Sequence, residues 1–558
     1  MDAGPDSIAR RVLRAVLAGA AALTLAVVMT WPLAAGFSRL GRTSPGDGPY
    51  AIWNVSWVAH ALTTDPRRLL DANIFHPHPK TLAFSEINLV AGIVGVPGWL
   101  ATKNPYVAHN SALIFAFASS ALGMWLLARR LTGSSTAAAV AGVLYAFAPY
   151  YFAHTPHIQL LMGGGIPIAL LMLYRLVDSP TLARGAALGV ALAAQALACA
   201  YYGIFAGLIV GFAAAVLGVT RGRWRERRYW LSFAAGAVVS VVLVLPFFLP
   251  FVWMHEGGGF RTLAESVRYS ANLPSYLASP AHAHRWMLEI IRRWPRFTEV
   301  LFPGFLALAL AAIGVLTASR RRDATLAAPQ DRETLLLFGS IGALAFWASF
   351  GPAAGLYSVL YYAIPFFSFL RAPSRLGPVV MLSIAVLAAI GARRVLQLVP
   401  ARRRAALAGV LVLAAVLELN QLPFPWERAP SLPKPYLFLA QLPRGPFAEF
   451  PFYGGRVAYH LHTQYMLFST SHWLPLVNGY SDYFPPDFRE AATVLDSFPS
   501  NDSFAVLRKR RVRYIAIHWD MFGPRRSEIE ERLRPFARHL RPVSGDTMMT
   551  LYEVMSYP

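Results

Sequence analysis

The 558-residue chain has a single cysteine, Cys199, and only four lysines, Lys80, Lys103, Lys434 and Lys509. One cysteine in an apolar run excludes a disulfide within the chain and leaves the redox compartment unread. Carboxylates are scarce as well: 29 Asp and Glu stand against 51 Lys and Arg, a formal charge of +22. In a water-soluble protein that balance would point to nucleic acid. Here the arginines gather in turns between apolar runs, so their placement reads as a topology signal and nucleic acid is excluded as a partner. A third shortage lies inside the apolar runs, which are almost empty of ionisable side chains away from their ends; Glu418 lies near the outer end of the last one. Ion-coupled transport needs titratable groups near the bilayer midplane. Their scarcity argues against a secondary transporter. No solenoid-type repeat is present.

What the chain does have is hydrophobic length. Hydrophobic residues make up 56% of it, and the mean hydropathy is +0.43. Runs near the roughly 20 residues that cross a bilayer fall at 13–35, 106–128, 135–153, 158–177, 184–202, 203–220, 230–253, 298–318, 333–352, 374–392 and 405–421. The run 88–101 is too short to count and reads as a re-entrant or interfacial piece. Arg10, Arg11 and Arg14 precede the first run, which reads as a retained signal-anchor helix rather than a cleaved signal. Arginine-rich turns lie at Arg129–Arg130, Arg221–Arg228, Arg320–Arg322, Arg393–Arg394 and Arg402–Arg404. With the N-terminus inside, all five fall on the cytoplasmic side, as the positive-inside rule requires.

Three segments then face outward: the loop 36–105, the loop 254–297 and the tail 424–558. In the tail, "FAEFPF", "RYIAIHW" and "MMTLYEV" read as strands and "SEIEERLRPFARHL" reads as a helix. The expected fold is an α-helical polytopic membrane protein with about eleven transmembrane helices. Residues 1–423 form its membrane domain and 424–558 a small C-terminal α/β domain outside.

The polar residues concentrate in the outer segments, and this places chemistry or binding at the outer face of the membrane. Asp47, in "GRTSPGDGPYAIWNVSWVAHAL", is the leading candidate. A sugar hydroxyl is a poor nucleophile, and a positioned carboxylate helps by accepting its proton. Gly46 and Gly48 would let a backbone or ligand come close, although Gly-Asp-Gly-Pro is also good turn chemistry. In "DANIFHPHPKTLAFSE", Glu86 is placed to reach the same cleft. His76 and His78 suit substrate hydrogen bonding. As a metal site the pair falls short of three or four ligands, so a divalent metal is not favoured. His154, His157 and Gln159, in "FAPYYFAHTPHIQ", suit sugar hydroxyls or phosphate oxygens, or else sit as interfacial polar groups. Arg371 and Arg375, in "FSFLRAPSRLG", suit a phosphate or pyrophosphate, which guanidinium groups grip through paired hydrogen bonds. Arg261, Arg268, Arg285, Arg292 and Arg293 would cover an anionic lipid head or form a basic surface. His472, Trp473, Asn478, Tyr480 and Asp482, in "STSHWLPLVNGYSDYF", mix aromatic and amide groups of the kind that suit carbohydrate.

With its cytoplasmic N-terminus, long first outer loop bearing an early acid, many spans and outer C-terminal domain, the chain resembles the GT-C superfamily of polytopic glycosyltransferases. "RAPSR", "LFPG" and "HWLPLVNGY" are also similar to bacterial multi-span proteins of envelope glycosylation. The resemblance implies an inverting transferase at the outer face of a bacterial cytoplasmic membrane. Its donor would be a polyprenyl-phosphate-linked sugar and its acceptor a glycan, lipid or protein. In that family an acid of the first outer loop is the catalytic base, and Asp47 matches it. The paired Asp-Glu of protein mannosyltransferases is missing, since Gly48 follows Asp47. The alternatives are a translocase for a lipid-linked glycan and a non-catalytic envelope assembly protein.

Overall fold

The computed structural model describes residues 5–255, 262–294, 296–319, 329–364 and 367–558. Arg261 and the turn Arg320–Arg322 lie outside the described residues. The chain divides into two compact units. The first comprises residues 1–35, 113–248 and 258–424, and the second 36–112, 249–257 and 425–558.

The first unit is helical. Among the described residues, six helices are long and apolar enough to cross a membrane: Val12–Met29, Pro105–Thr132, Ser135–Ala153, Ala200–Thr220, Arg227–Trp253 and Pro373–Gln397. Each coincides with an expected span. The other five expected spans coincide with helices that are shorter, broken or charged at one end. The run 158–177 breaks into Ile158–Leu161 and Gly165–Asp178. Leu182–Ala198 and Phe305–Ser319 have 17 and 15 residues. Pro329–Ser349 carries Asp331, Arg332 and Glu333 at its start, and Ala401–Glu418 carries Arg402–Arg404. The run 88–101 is a 14-residue helix, Leu89–Thr102.

Helix Gly377–Gln397 is buried along most of its length. It packs on Phe305–Ser319 so closely that a Cβ on Gly391 would lie 1.9 Å from the Leu310 carbonyl oxygen, and one on Gly314 would lie 2.2 Å from that of Leu387. Small residues at such crossings let helix backbones meet. Three of the arginine-rich turns, those of Arg130, Arg221 and Arg393–Arg394, are held by carboxylates of this unit. Arg130 and Arg221 bind Asp178, Arg221 binds Glu333 at 2.7 Å, and Arg393 and Arg394 bind Asp331. Arg371 and Arg375 precede the opposite end of Gly377–Gln397. Glu418 accepts the orphan N–H groups of Phe305 and Leu306 and pairs with the buried His284 at 3.1 Å. It therefore caps a helix start, where negative charge is favourable.

The second unit joins the first long loop to the tail. Strand β1 (Leu40–Gly41) pairs antiparallel with β2 (Glu427–Arg428), and the Glu427 carboxylate accepts the N–H groups of Thr43 and Ser44. Helix Asp47–Thr64 buries Ile52, Trp53, Val55 and Val58. The tail contributes β3 (Phe447–Phe450), β4 (Tyr514–His518), β5 (Leu540–Gly545) and β6 (Met549–Val554) in the order β3-β4-β6-β5, with β3 and β4 parallel and the remaining pairs antiparallel. All positions of β3 and β4 are buried, as expected for strands covered on both faces. The expected domain break at 423/424 thus falls beside a unit boundary, but residues 36–112 fold with the tail and not with the helices.

Candidate functional site

The candidate residues form groups within each unit. In the second unit, Asp47 opens helix Asp47–Thr64 and is exposed. The Tyr480 hydroxyl donates to Asp47 Oδ1 at 3.5 Å. The flanking glycines have structural causes that differ from a ligand's approach. Gly46 sits at φ 130°, a conformation side chains rarely adopt, and its N–H donates to Thr463 Oγ1 at 2.9 Å. A Cβ on Gly48 would lie 2.1 Å from the Arg42 carbonyl oxygen.

One turn into the helix, Tyr50 packs edge-on against Tyr480 at 5.9 Å. Burial pushes its hydroxyl up to about 12, against hydrogen bonding from Ser85, Ser481 and Asn54, and Asp482 adds to the rise. Ser85 Oγ donates to Asp482 Oδ2 at 2.7 Å, and Asn54 Nδ2 donates to the Glu86 carbonyl oxygen at 3.2 Å. Asp47, the Ser85–Glu86 turn and the Tyr480–Asp482 turn therefore meet around Tyr50. Asp482, grouped from sequence with Tyr480 as suited to carbohydrate, is an acid of this cluster. Its signal was the polar, aromatic run "NGYSDYF".

His76 and His78 stand elsewhere in the same unit. Together with Trp57 and Trp473 they line a cavity of about 280 Å³. Trp57 follows Asp47 by ten residues, about 15 Å along the helix axis. His78 Nε2 pairs with Asp487 Oδ1 at 2.8 Å, and Arg510 binds the other oxygen of that carboxylate. Among the described residues, no three His, Cys, Asp or Glu side chains are set to hold a metal ion.

In the first unit, His154, His157, Arg371 and Arg375 gather around tyrosines. His154 Nε2 hydrogen-bonds Glu299 Oε2 at 3.0 Å, and its ring packs 4.3 Å from Tyr150 and 5.6 Å from His157. Burial pushes the His154 imidazole down, against the pull of Glu299. The Arg375 guanidinium lies 4.2 Å over the Tyr201 ring, and its charge also acts on His154 and Glu299. The Tyr201 hydroxyl accepts the Arg371 N–H at 3.0 Å. Arg371 lies 5.4 Å over Tyr269 and 3.8 Å from Glu265. Arg371 precedes the turn Pro373–Leu376, which carries Arg375, and the Tyr201 side chain contacts both. Gln159 sits half-buried on the short helix Ile158–Leu161. Glu299, Tyr201 and Glu265 were missed from sequence. Glu299 alone left a trace, as the one acid before "VLFPG".

Two arginines on aromatic faces, beside a histidine held by a carboxylate, can bind a phosphate and orient a polar ligand. An exposed carboxylate beside a tyrosine hydroxyl can accept a proton from an attacking hydroxyl.

The chain is similar in fold to a solved arabinofuranosyltransferase. The arabinofuranosyltransferase AftD from Mycobacteria matches 97% of the chain at 14% identity with a TM-score of 0.60, and the chain spans 40% of AftD's length. ArnT from Cupriavidus metallidurans in the apo state matches 96% of the chain and 97% of its own length at 16% identity, with a TM-score of 0.48. The archaeal oligosaccharyltransferase AglB from Archaeoglobus fulgidus matches 95% of the chain and 72% of its own length at 14% identity, with a TM-score of 0.45. No family model matches the sequence, and no curated protein does either.

Proposed function

We propose that the protein is an inverting glycosyltransferase. It moves a sugar from a polyprenyl-phosphate donor to an envelope glycan, lipid or protein acceptor at the outer face of the bacterial cytoplasmic membrane. The observation that carries this reading is the pair of arginines set on Tyr201 and Tyr269 before the start of Gly377–Gln397, away from the end of that helix that carries Arg393 and Arg394. That placement supports an outer-face phosphate site. The fold likeness to AftD supports the class of reaction.

In this mechanism Asp47 accepts the proton of the acceptor hydroxyl as it attacks the anomeric carbon. The bond from that carbon to the phosphate oxygen breaks, and polyprenyl phosphate leaves. Arg371 and Arg375 meet the charge that develops on the phosphate, a contribution that is largest in a water-poor cleft. His154 and His157 orient the donor, and Glu86 orients the acceptor. The chain's own cations serve the leaving group, so no step is routed through a metal.

The test is release of free polyprenyl phosphate from a panel of polyprenyl-phosphate sugars, with the protein in lipid nanodiscs and envelope extract as acceptor. Wild type should release it, and Asp47→Asn should lose about 100-fold or more, the scale of a general base. Equal release from both would remove Asp47 from the mechanism. No release from either, with both folded, would overturn the transferase reading.

A further inference from the structure

The cavity beside Trp57 and Trp473 is separate from the Asp47 cluster, and the proposed transfer chemistry does not use it. It lies within the second unit, and its lining also includes His60, Asp65, Arg68, Asp71 and Arg444. Its volume is about 280 Å³. That is at the small end of the roughly 300–1,000 Å³ of ligand pockets. The size suits one or two sugar rings and is too small for a polyprenyl chain.

The walls are aromatic and fixed. Trp57 Nε1 donates to the Leu69 carbonyl oxygen at 2.9 Å. His60 stacks on Trp473 at 4.7 Å and 14°, while Trp57 and Trp99 meet Trp473 edge-on at 5.4 and 5.8 Å. Trp473 is held at φ 51°, a left-handed conformation that is strained for so bulky a side chain. Strain of this kind persists where the surroundings hold a residue in a useful position. Arg444 reaches back to the Trp473 carbonyl oxygen at 2.7 Å, which fixes a guanidinium at the same wall.

The polar groups of the cavity carry both signs. Arg68 lies 3.9 Å from Asp65, and Asp71 Oδ1 accepts the Lys80 N–H at 2.9 Å. Burial, helped by the charges of Lys103 and Arg444, lowers His60 to about 4, and so its ring is neutral. Asp65 and Asp71 stand beside Arg68 and Arg444 in one lining. Hydroxyl groups donate to carboxylates and accept from guanidinium. Aromatic rings beside them bury the apolar C–H faces of a sugar.

We propose that this cavity is a carbohydrate-binding subsite, which holds one or two sugar rings of a neutral glycan against Trp57 and Trp473 with Asp65, Asp71 and Arg444 on its hydroxyls. The subsite stands apart from the Asp47 chemistry and is tested without turnover.

The experiment is saturation-transfer NMR on the full-length protein in nanodiscs. The probes are neutral hexose, pentose and N-acetylhexosamine oligosaccharides of two to six residues, with inorganic phosphate and pyrophosphate as competitors. At least one oligosaccharide should bind wild type. Arg444→Ala and Asp71→Asn should each weaken that binding tenfold or more. Val457→Ala, at a fully exposed position, should leave it unchanged and so should Asp47→Asn. Asp71→Asn keeps an oxygen for the Lys80 N–H, which guards against misfolding, and tryptophan fluorescence checks each variant. No saturation transfer from any probe, binding indifferent to both variants, or displacement by phosphate would each overturn the proposal. Because Asp47→Asn is read for binding alone, failure of the transferase reading would leave this result standing.

Discussion

At the scale of single residues, Asp47 is presented by its neighbours. Gly48 admits the Arg42 carbonyl oxygen, and a Cβ 2.1 Å from a backbone oxygen cannot be relieved by turning a side chain. Gly48→Ala should therefore displace the first helical turn at a cost of about 1–3 kcal/mol. It should also lower polyprenyl phosphate release without touching the carboxylate, as a melting curve and the release assay together would show. A second residue-scale prediction concerns the tail's core. Glu449 and His518, 0% and 1% exposed, pair at 2.8 Å, and both contact the Tyr436 hydroxyl. Burial pushes the Glu449 carboxyl up, with His518 opposing it. Removing one partner of such a pair strands the other, so His518→Leu should cost about 3–5 kcal/mol, read as a shift in the denaturant midpoint. Sequence chemistry alone could pick out Asp47, Arg371, Arg375 and His154, because rare polar residues stand out beside apolar runs. It could not supply Glu299 or Tyr201, whose roles come from contacts across many tens of residues.

At the scale of elements, the sheet was partly legible. Residues 447–452, 513–519 and 548–554 carry apolar and aromatic runs, and each yields a strand. β5 was missed because "LRPVSG" holds an arginine and a proline. It survives as an edge strand, next to β6 alone, where proline is tolerated. Among the helices, hydropathy overstated length where a loop continued an apolar run, as at Met162–Gly164 between Ile158–Leu161 and Gly165–Asp178. Helix contact rather than hydropathy explains the glycines of Phe305–Ser319 and Gly377–Gln397. Gly391→Val would drive its Cβ into the Leu310 carbonyl oxygen. It should lower the thermal midpoint by an amount equivalent to about 1–3 kcal/mol, whereas Gly409→Ala, which meets nothing within 4 Å, should be close to neutral.

At the scale of the whole molecule, the first outer loop and the tail share one unit although β1 and β2 lie almost 390 residues apart in the chain. Composition marked the tail as different, but no local pattern could say that residues 36–112 belong with it. The shared unit also fixes how the protein responds to acid. His462 and His472 are buried, and burial lowers each to about 3 from 6.5. Burial lowers His462 against its bond to the Tyr453 carbonyl oxygen, to which Nε2 donates, while Nδ1 accepts from Asn478. His472 Nδ1 accepts the Leu474 N–H. Between pH 6.5 and 3 the unfolded chain binds protons that the folded chain refuses. The contribution of these histidines is therefore complete above 6.5 and is lost as pH falls toward 3, at up to about 1.4 kcal/mol per pH unit for each. The carboxylates answer later. Burial opposes ionisation of Asp487, but His78 and Arg510 outweigh it and hold it below 3.8, so its share is lost only below that value. A denaturant midpoint followed by tryptophan fluorescence should thus already decline between pH 6.5 and 4, and His462→Gln should make that decline shallower. A midpoint flat across this window would show that the buried histidines are already reached by protons in the folded state.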